Sequence, residues 1–230
     1  MAFHGKKYTQ AAAKADRDTL YTIEGAIQFL KDHPTTKFDA TAEIAFRLGV
    51  DPTKSDQAVR GTVTLPHGTG KTVRVLVFAS GPAADAAREA GADHVGFEDL
   101  LAKVQGGFTE FDVAVATPDA MKEVRKLGKV LGPRGLMPNP KTGTVSDDTA
   151  AAVKACKAGR VEFRMDRHGN VMVPFGKMSF EAAALRENGK AVMDALNAAR
   201  PSAAKGVFIK RATITSTMGP GLRLDPRELA

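Results

Sequence analysis

From Phe38 to Leu48 every second residue is apolar: Phe38, Ala40, Ala42, Ile44, Phe46 and Leu48 are interleaved with Asp39, Thr41, Glu43 and Arg47. A period of two is that of a strand with one buried and one wet face. Val59, Gly61, Val63 and Leu65 repeat the pattern against Arg60, Thr62 and Thr64, and Val161-Glu162-Phe163-Arg164-Met165 repeats it again. Asp166 to Asn170 supplies turn residues ahead of Val171-Met172-Val173, so a hairpin is expected there. The β-branched run from Val207 to Thr217 reads as a last strand, ending at Met218-Gly219-Pro220. Two stretches have the helical period instead. Thr22 to Asp32 places Ile23, Ala26, Ile27 and Leu30 on one side, and Ser179 to Arg200 does so with Leu185, Val192, Met193 and Leu196 before Pro201 stops it. Together these pieces predict an antiparallel α+β module.

The middle of the chain has another character. Val73 to Ala79 is nearly all apolar, the mark of a strand covered on both faces. Helix-like and strand-like runs then alternate through Asp85 to Ala90, Glu98 to Val104, Val113 to Ala116 and Thr117 to Val130. Thr117-Pro118 has the form of a cap followed by a first-turn proline. A further helix is expected from Ser146, with Asp147 and Asp148 in its first turn and Gly159 beyond its end. The domain expectation is an outer domain in two parts, residues 1–67 and 160–230, with residues 68–159 inserted as a small α/β domain. The crossings, Pro66-His67-Gly68-Thr69-Gly70 and Ala158-Gly159-Arg160, are short and glycine-bearing. A hinge is therefore expected at Pro66, Gly68, Gly70 and Gly159.

Composition narrows the function. The net charge of +7 favours an acidic partner such as nucleic acid. Residues 68–159 carry 12 Lys and Arg against 11 Asp and Glu, so most of that charge belongs to the outer pieces. A single cysteine, Cys156, allows no internal disulfide. No apolar run reaches the length of a membrane span, and MAFHGKKYTQ has no hydrophobic segment behind its charges, so no membrane partner and a cytoplasmic location are expected.

Candidate catalytic chemistry fails on inspection. His67 to Thr72 ends like a phosphate-binding loop, but Leu65 stands where the pattern needs glycine, and Thr72 to Val77 reads as strand where it needs helix. The five histidines share no metal-ligand spacing, and one cysteine completes no zinc site. Neither catalytic residue, metal nor cofactor is expected, and the chain is not read as an enzyme.

Two features suit RNA. The wet face of the Phe38 strand and the end of the last strand can share a sheet, presenting Thr41, Glu43, Thr215, Ser216 and Thr217 beside the bare backbone of Met218-Gly219. Hydroxyls and open main chain suit ribose 2′-OH groups, although a solvated sheet face explains the same threonines. The second feature is KLGKVLGPRGLMPNPKTGTV, residues 126–145. There Lys126, Lys129, Arg134 and Lys141 alternate with four glycines, and Pro133, Pro138 and Pro140 forbid a continuous helix. Such a stiffened basic loop can approach phosphates closely, or serve as an ordinary surface loop.

That segment closely resembles the signature of the bacterial form of the universal stalk-protein family, the first proteins of the large ribosomal subunit. HGKKY, the stretch from Lys37 to Lys71, and TSTMGPGLRLD from Thr215 to Asp225 resemble the same family in the same order. The resemblance implies a split outer antiparallel α+β domain that binds RNA, with an inserted Rossmann-like α/β domain. It implies a primary site at Lys37, Phe38, Thr41, Glu43, Thr217, Met218 and Gly219, flanked by Thr215 and Ser216. In that site Lys37 is the phosphate contact, Phe38 stacks or packs, and Arg164 and Arg167 extend the footprint. Lys126, Lys129, Arg134 and Lys141 would form a secondary RNA contact. The implied partners are large-subunit rRNA, other components of the large ribosomal subunit, exit-site tRNA released by a mobile stalk, and the protein's own operon mRNA, which it would repress.

Overall fold

The structure, a computed structural model, describes residues 5–16 and 18–229. In chain order the elements are α1 (Lys6–Lys14), α2 (Ile23–Asp32), β1 (Thr41–Leu48), β2 (Arg60–Thr64), β3 (Val75–Phe78), α3 (Pro82–Glu89), β4 (His94–Gly96), α4 (Glu98–Gln105) and β5 (Val113–Ala116). There follow α5 (Met121–Val124), α6 (Gly128–Leu131), α7 (Thr149–Lys157), β6 (Arg160–Arg164), β7 (Asn170–Lys177), α8 (Ala182–Ala198), β8 (Ile209–Ser216) and β9 (Leu222–Arg223). The chain divides into two compact units, Met1–Gly70 with Val161–Ala230, and Lys71–Arg160.

In the first unit four strands form one antiparallel sheet in the order β7-β1-β8-β9. The inward residues of β1, Ala42, Ile44, Phe46 and Leu48, meet Val171, Val173 and Phe175 of β7 and Ala212 and Ile214 of β8 in one core. Ile23, Ala26, Ile27 and Leu30 of α2 and Leu185, Val192, Met193 and Leu196 of α8 cover that side, and on the other face Glu43, Arg47 and Met172 are exposed. Helix α2 starts where Thr22 accepts a hydrogen bond from Gly25 N–H at 3.1 Å.

The ribbon β2-β6 packs on the same core through Val59, Val63, Leu65 and Phe163. Gly61 is required there, since a Cβ would lie 2.6 Å from the Phe163 ring. This ribbon corrects the expected hairpin. The turn at 166–170 does form, with Asp166 Oδ1 accepting from the amides of His168 and Asn170 at 2.8 Å each. Its flanking strands nevertheless part, β6 to β2 and β7 to β1. The long apolar set of β7 finds its register against β1, while Phe163 fills the space over Gly61.

A second correction concerns Phe38. The strand begins at Thr41, and Phe38 is 59% exposed. Thr36 Oγ1 donates to Phe38 O at 3.0 Å, and Asp39 accepts from Ser179 N–H and Oγ at 3.1 and 2.9 Å. These local bonds lift residues 36–39 out of the alternation.

The second unit holds the parallel sheet β4-β3-β5, with Val145 bridged in parallel to Ala116. Val75 and Val77 face a cluster with Ala84, Ala87, Val153 and Cys156, whereas Leu76 and Phe78 face Leu100, Val104, Val124, Leu127 and Leu131. Burial on both sides explains the unbroken apolar run. Helix α7 is capped by Asp148, which accepts from Ala151 N–H at 2.9 Å, rather than starting at Ser146. The expected helix 117–130 is broken into α5, a 3-10 turn at Arg125–Leu127 and α6. Helix α1 and strand β4 had no counterpart in the periodicity.

Candidate nucleic-acid interface

Strand pairing brings the two ends of the proposed RNA face together. β1 and β8 run antiparallel with Glu43 opposite Thr215 and Ala42 opposite Ser216. Beyond the last ladder pair, Thr217 N–H donates to Thr41 O at 3.0 Å. Thr217 Oγ1 accepts from Thr41 N–H at 3.0 Å and lies 3.3 Å from Thr41 O. Thr35 Oγ1 donates to Thr217 O at 3.4 Å, tying the segment before β1 to the same point. The side chains of Thr41, Thr215 and Thr217 are half-buried, and Lys37 and Glu43 are exposed.

The hydroxyl inventory leaves room for a ligand. A threonine hydroxyl offers one donor and two acceptor positions. Thr41 Oγ1 accepts from Lys177 Nζ at 3.0 Å, leaving its proton and one lone pair. Thr215 Oγ1 spends its proton on the carbonyls of Ser216 and Gly219, both at 3.2 Å, leaving its lone pairs. Thr217 Oγ1 retains one lone pair. Thr41 can therefore still donate and accept, while Thr215 and Thr217 can accept, which suits ribose 2′-OH, a group that does both.

After Thr217 the chain turns sharply, with Gly219 N–H donating to Ser216 O at 2.7 Å. Met218 adopts φ 60°, the one positive φ outside glycine among the described residues, and its side chain is 72% exposed. Backbone strain of this kind costs about 1–3 kcal/mol and tends to gather at functional sites. Gly219 is needed for close approach, because a Cβ would sit 2.4 Å from Ser216 Oγ.

Three expected members are displaced. Ser216 is only 6% exposed, since it shares the inward parity of Ala212 and Ile214; three consecutive residues of an extended strand cannot all face outward. Arg167 lies in the turn at 166–170, beside the Arg47 end of β1, where Arg47 donates to His168 O and, at 3.1 Å, to Asn170 Oδ1. Arg164 closes β6 two residues before that turn. Arg47 is six residues along β1 from Thr41, about 20 Å, so Arg164 and Arg167 lie toward the far end of the sheet from the Thr41–Thr217 junction.

One cation was missed. Lys177 shares its parity with Val171, Val173 and Phe175, which marks it for the core. A bulge intervenes: Ala42 pairs with Gly176 but Glu43 with Pro174, so Phe175 is the extra residue. Phe175 and Gly176 are buried in succession and Lys177 emerges beside Thr41, where its Nζ also reaches Asp39 O at 3.4 Å. No single-strand pattern announces such a shift.

The signature segment of the second unit is partly core. Leu127 and Leu131 are 4% and 0% exposed, which corrects the reading of a purely surface loop. Its far end is a knot around Asn139, whose N–H donates to Thr144 Oγ1 at 2.8 Å and whose O accepts from Thr142 Oγ1 at 3.0 Å. Lys129 is exposed, Lys126 pairs with Glu123 at 2.6 Å and Arg134 donates to Thr109 Oγ1. The side chain of Lys141 lies outside the described residues.

Around the crossings, Gly68, Gly70 and Gly159 all have positive φ, at 67°, 70° and 92°. Pro66 is exposed. The stretch after it is held by Asn188 of α8, which is fully buried. Asn188 Oδ1 accepts from His67 N–H at 3.0 Å, and its Nδ2 donates to Gly68 O at 3.0 Å and Phe175 O at 2.9 Å.

The phosphate-loop lysine is committed elsewhere. Lys71 bonds Asp112 at 2.7 Å, no helix follows it, and Asp112 also accepts from Arg74. The Lys71 ammonium, with the Arg74 amide and guanidinium, holds the Asp112 carboxyl down at about 2 despite partial burial. Among the described residues no group of three His, Cys, Asp or Glu could hold a metal, and no helix is long and apolar enough to cross a membrane.

Residues 30–220 match the Ribosomal protein L1p/L10e family. Over 230 residues, all of this chain and all of each relative, the sequence is 59% identical to the large ribosomal subunit protein uL1 of Bifidobacterium longum strain DJO10A and of strain NCC 2705. The same identity holds for that protein from Bifidobacterium longum subsp. infantis. The chain belongs to the Ribosomal protein L1p/L10e family, a family of ribosomal proteins and not of enzymes.

Proposed function

We propose that this member of the family is a constituent of the large ribosomal subunit that binds large-subunit rRNA directly through the open end of its four-stranded sheet. The observation that carries this reading is the junction of Thr41 and Thr217, with spare hydroxyl capacity, beside the Lys177 ammonium and the exposed Met218 turn. Lys37 and Lys177 would meet phosphates, which position the RNA, while Thr41, Thr215, Thr217 and the Met218-Gly219 backbone would meet ribose and base edges. Glu43, exposed next to Thr215, would accept from an exocyclic amine or a 2′-OH and repel a misplaced phosphate. Phe38, exposed on the approach to β1, offers a ring on which a base can stack.

The remaining parts of the proposal follow from the family. The split unit anchors a mobile stalk, the second unit moves about the crossings at Pro66 to Gly70 and at Gly159, and Lys129 and its basic neighbours reach exit-site tRNA during release. The same sheet end represses translation by gripping a segment of the protein's own operon mRNA, since one surface can serve two RNAs of one shape. Other proteins of the subunit are its neighbours, and the cytoplasm is its place. Crosslinking the full chain to cellular RNA, with identification of the bound segments, tests the proposal. A large-subunit rRNA segment and an operon leader sharing a local fold are expected; crosslinks spread over unrelated RNAs would overturn it.

A further inference from the structure

The segment that leads into β1 stands over unfilled space. Thr35, Thr36, Phe38 and Asp39 border a hollow of about 340 Å³ whose apolar wall comes from Leu30, Ala40 and Met178. Phe38 nevertheless leaves 59% of its surface in solvent. A phenyl ring in water gains by burial, and an apolar hollow beside it offers the place. Packing therefore does not account for the outward position of Phe38.

What holds the segment is polar. Asp39 Oδ1 accepts from Ser179 N–H at 3.1 Å and Asp39 Oδ2 from Ser179 Oγ at 2.9 Å, so one residue engages both carboxylate oxygens. Ser179 lies in the turn after β7, closed by Phe180 N–H donating to Lys177 O at 3.0 Å. That turn is fixed from three sides: Met178 N–H donates to Ala40 O at 2.8 Å, Lys31 of α2 donates to Phe180 O, and a Cβ on Gly70 would lie 2.8 Å from Lys177 Cγ and 2.9 Å from the Phe180 ring. The anchor is thus well secured, while Asp39 and Ser179 themselves stand exposed, where hydrogen bonds add little to folding. Held there, the Asp39 carboxylate does not pair with Lys37 two residues away, and among the described residues no acid meets the Lys37 ammonium.

Resting on the function proposed above, we infer that Asp39 and Ser179 are positioning residues of the RNA site, which touch no RNA themselves and set Phe38 and Lys37 in their binding arrangement before RNA arrives. The bond pair keeps the Phe38 ring out of the hollow and open to a base. It also keeps the Asp39 carboxylate from Lys37, whose charge stays whole for a phosphate. Once Asp39 is released, the ring falls against Leu30, Ala40 and Met178, and apparent affinity drops by the fraction of molecules that still present it. The sign of the effect separates this role from plain charge. Removing an acid beside bound phosphates would by itself tighten binding, whereas loss of the latch weakens it.

The chain has no tryptophan, so Phe38→Trp places a single emitter on this segment. Without RNA, the full chain carrying Phe38→Trp is expected to emit as an exposed indole, and to shift to the blue when Asp39→Ala is added. Asp39→Asn, which keeps an acceptor for Ser179 N–H and offers a donor to Ser179 Oγ, should restore the exposed emission. The second measurement is a filter-binding titration with transcribed large-subunit rRNA. Asp39→Ala is expected to bind about tenfold more weakly than the unaltered chain, and Asp39→Asn to stay within about threefold of it. In a Phe38→Ala background, adding Asp39→Ala should weaken binding by no more than about threefold, since the ring it positions is gone. Unshifted emission in Phe38→Trp/Asp39→Ala, or Asp39→Ala binding as tightly as the unaltered chain or more so, would overturn the inference while leaving the Thr41–Thr217 site standing. Failure of the unaltered chain to prefer this rRNA over duplex DNA would overturn it differently, by removing the function on which it rests even with the emission shift intact.

Discussion

Thr217 Oγ1 accepts the Thr41 amide hydrogen at 3.0 Å and lies 3.3 Å from the Thr41 carbonyl, so one hydroxyl closes the sheet end at the point where RNA is proposed to bind. The hydroxyl therefore has two duties. Thr217→Val leaves the half-buried Thr41 amide without its partner, and is expected to cost about 1 kcal/mol of stability and about 1–3 kcal/mol of RNA affinity. Urea unfolding and a titration with large-subunit rRNA separate the two losses. An unchanged dissociation constant would place Thr217 outside the interface.

Met218 stands at φ 60° with its side chain in solvent, a combination that folding alone does not favour. Met218→Gly relieves the backbone and removes the side chain. The account expects stability to hold or rise, by up to about 1 kcal/mol once glycine's greater chain entropy is counted. RNA affinity should fall at the same time. Affinity equal to that of the unaltered chain would show that the side chain has no part in recognition.

Asn188 bridges three elements from a fully buried position, serving His67 N–H, Gly68 O and Phe175 O at once. Asn188→Ala leaves those groups short of partners and should lower the unfolding free energy by about 2–4 kcal/mol. Glu187→Ala, which removes the exposed partner of His67, should leave it nearly unchanged. Equal effects of the two changes in thermal unfolding would contradict the assignment of the anchor to Asn188.

Asp112 makes the stability of the second unit pH-dependent. Its folded pKa, about 2, lies below the ordinary carboxylate value of 3.8. Its contribution is therefore complete above about pH 4 and is lost as pH falls through 2. Asp112→Asn should cost about 1 kcal/mol at neutral pH, after screening of the Lys71 pair. The gap between the two proteins in urea titrations should close toward pH 2. A gap that stays constant down to pH 2.5 would contradict the ion-pair cause.

Much of the fold was legible because periodicity reports burial directly. β5, α2, α8 and β1 from Thr41 onward fall where the pattern puts them, and the unbroken run of β3 signals cover on both faces. Pairing was not legible. The parting of β6 from β7 depends on which distant strand offers the better surface, information held in Gly61 and in β1 rather than in the turn. Within the site, Thr41 and Thr217 could be placed on one face by parity, and parity rightly read also puts Ser216 inside. Lys177 was hidden because its exposure depends on a bulge, which changes the face of a residue without changing the local pattern. The anchoring by Asn188 was equally silent, since a polar residue on a helix is ordinarily read as solvated.

The central claim is that threonine hydroxyls and bare main chain read ribose, and the most direct measurement is a paired titration of the full chain. One ligand is the crosslinked large-subunit rRNA segment, the other the same segment with 2′-deoxy sugars at the crosslinked nucleotides. The account predicts at least tenfold weaker binding of the deoxy ligand, with that difference largely abolished in Thr217→Val. Equal affinities for the two ligands, with the same salt slope, would contradict it.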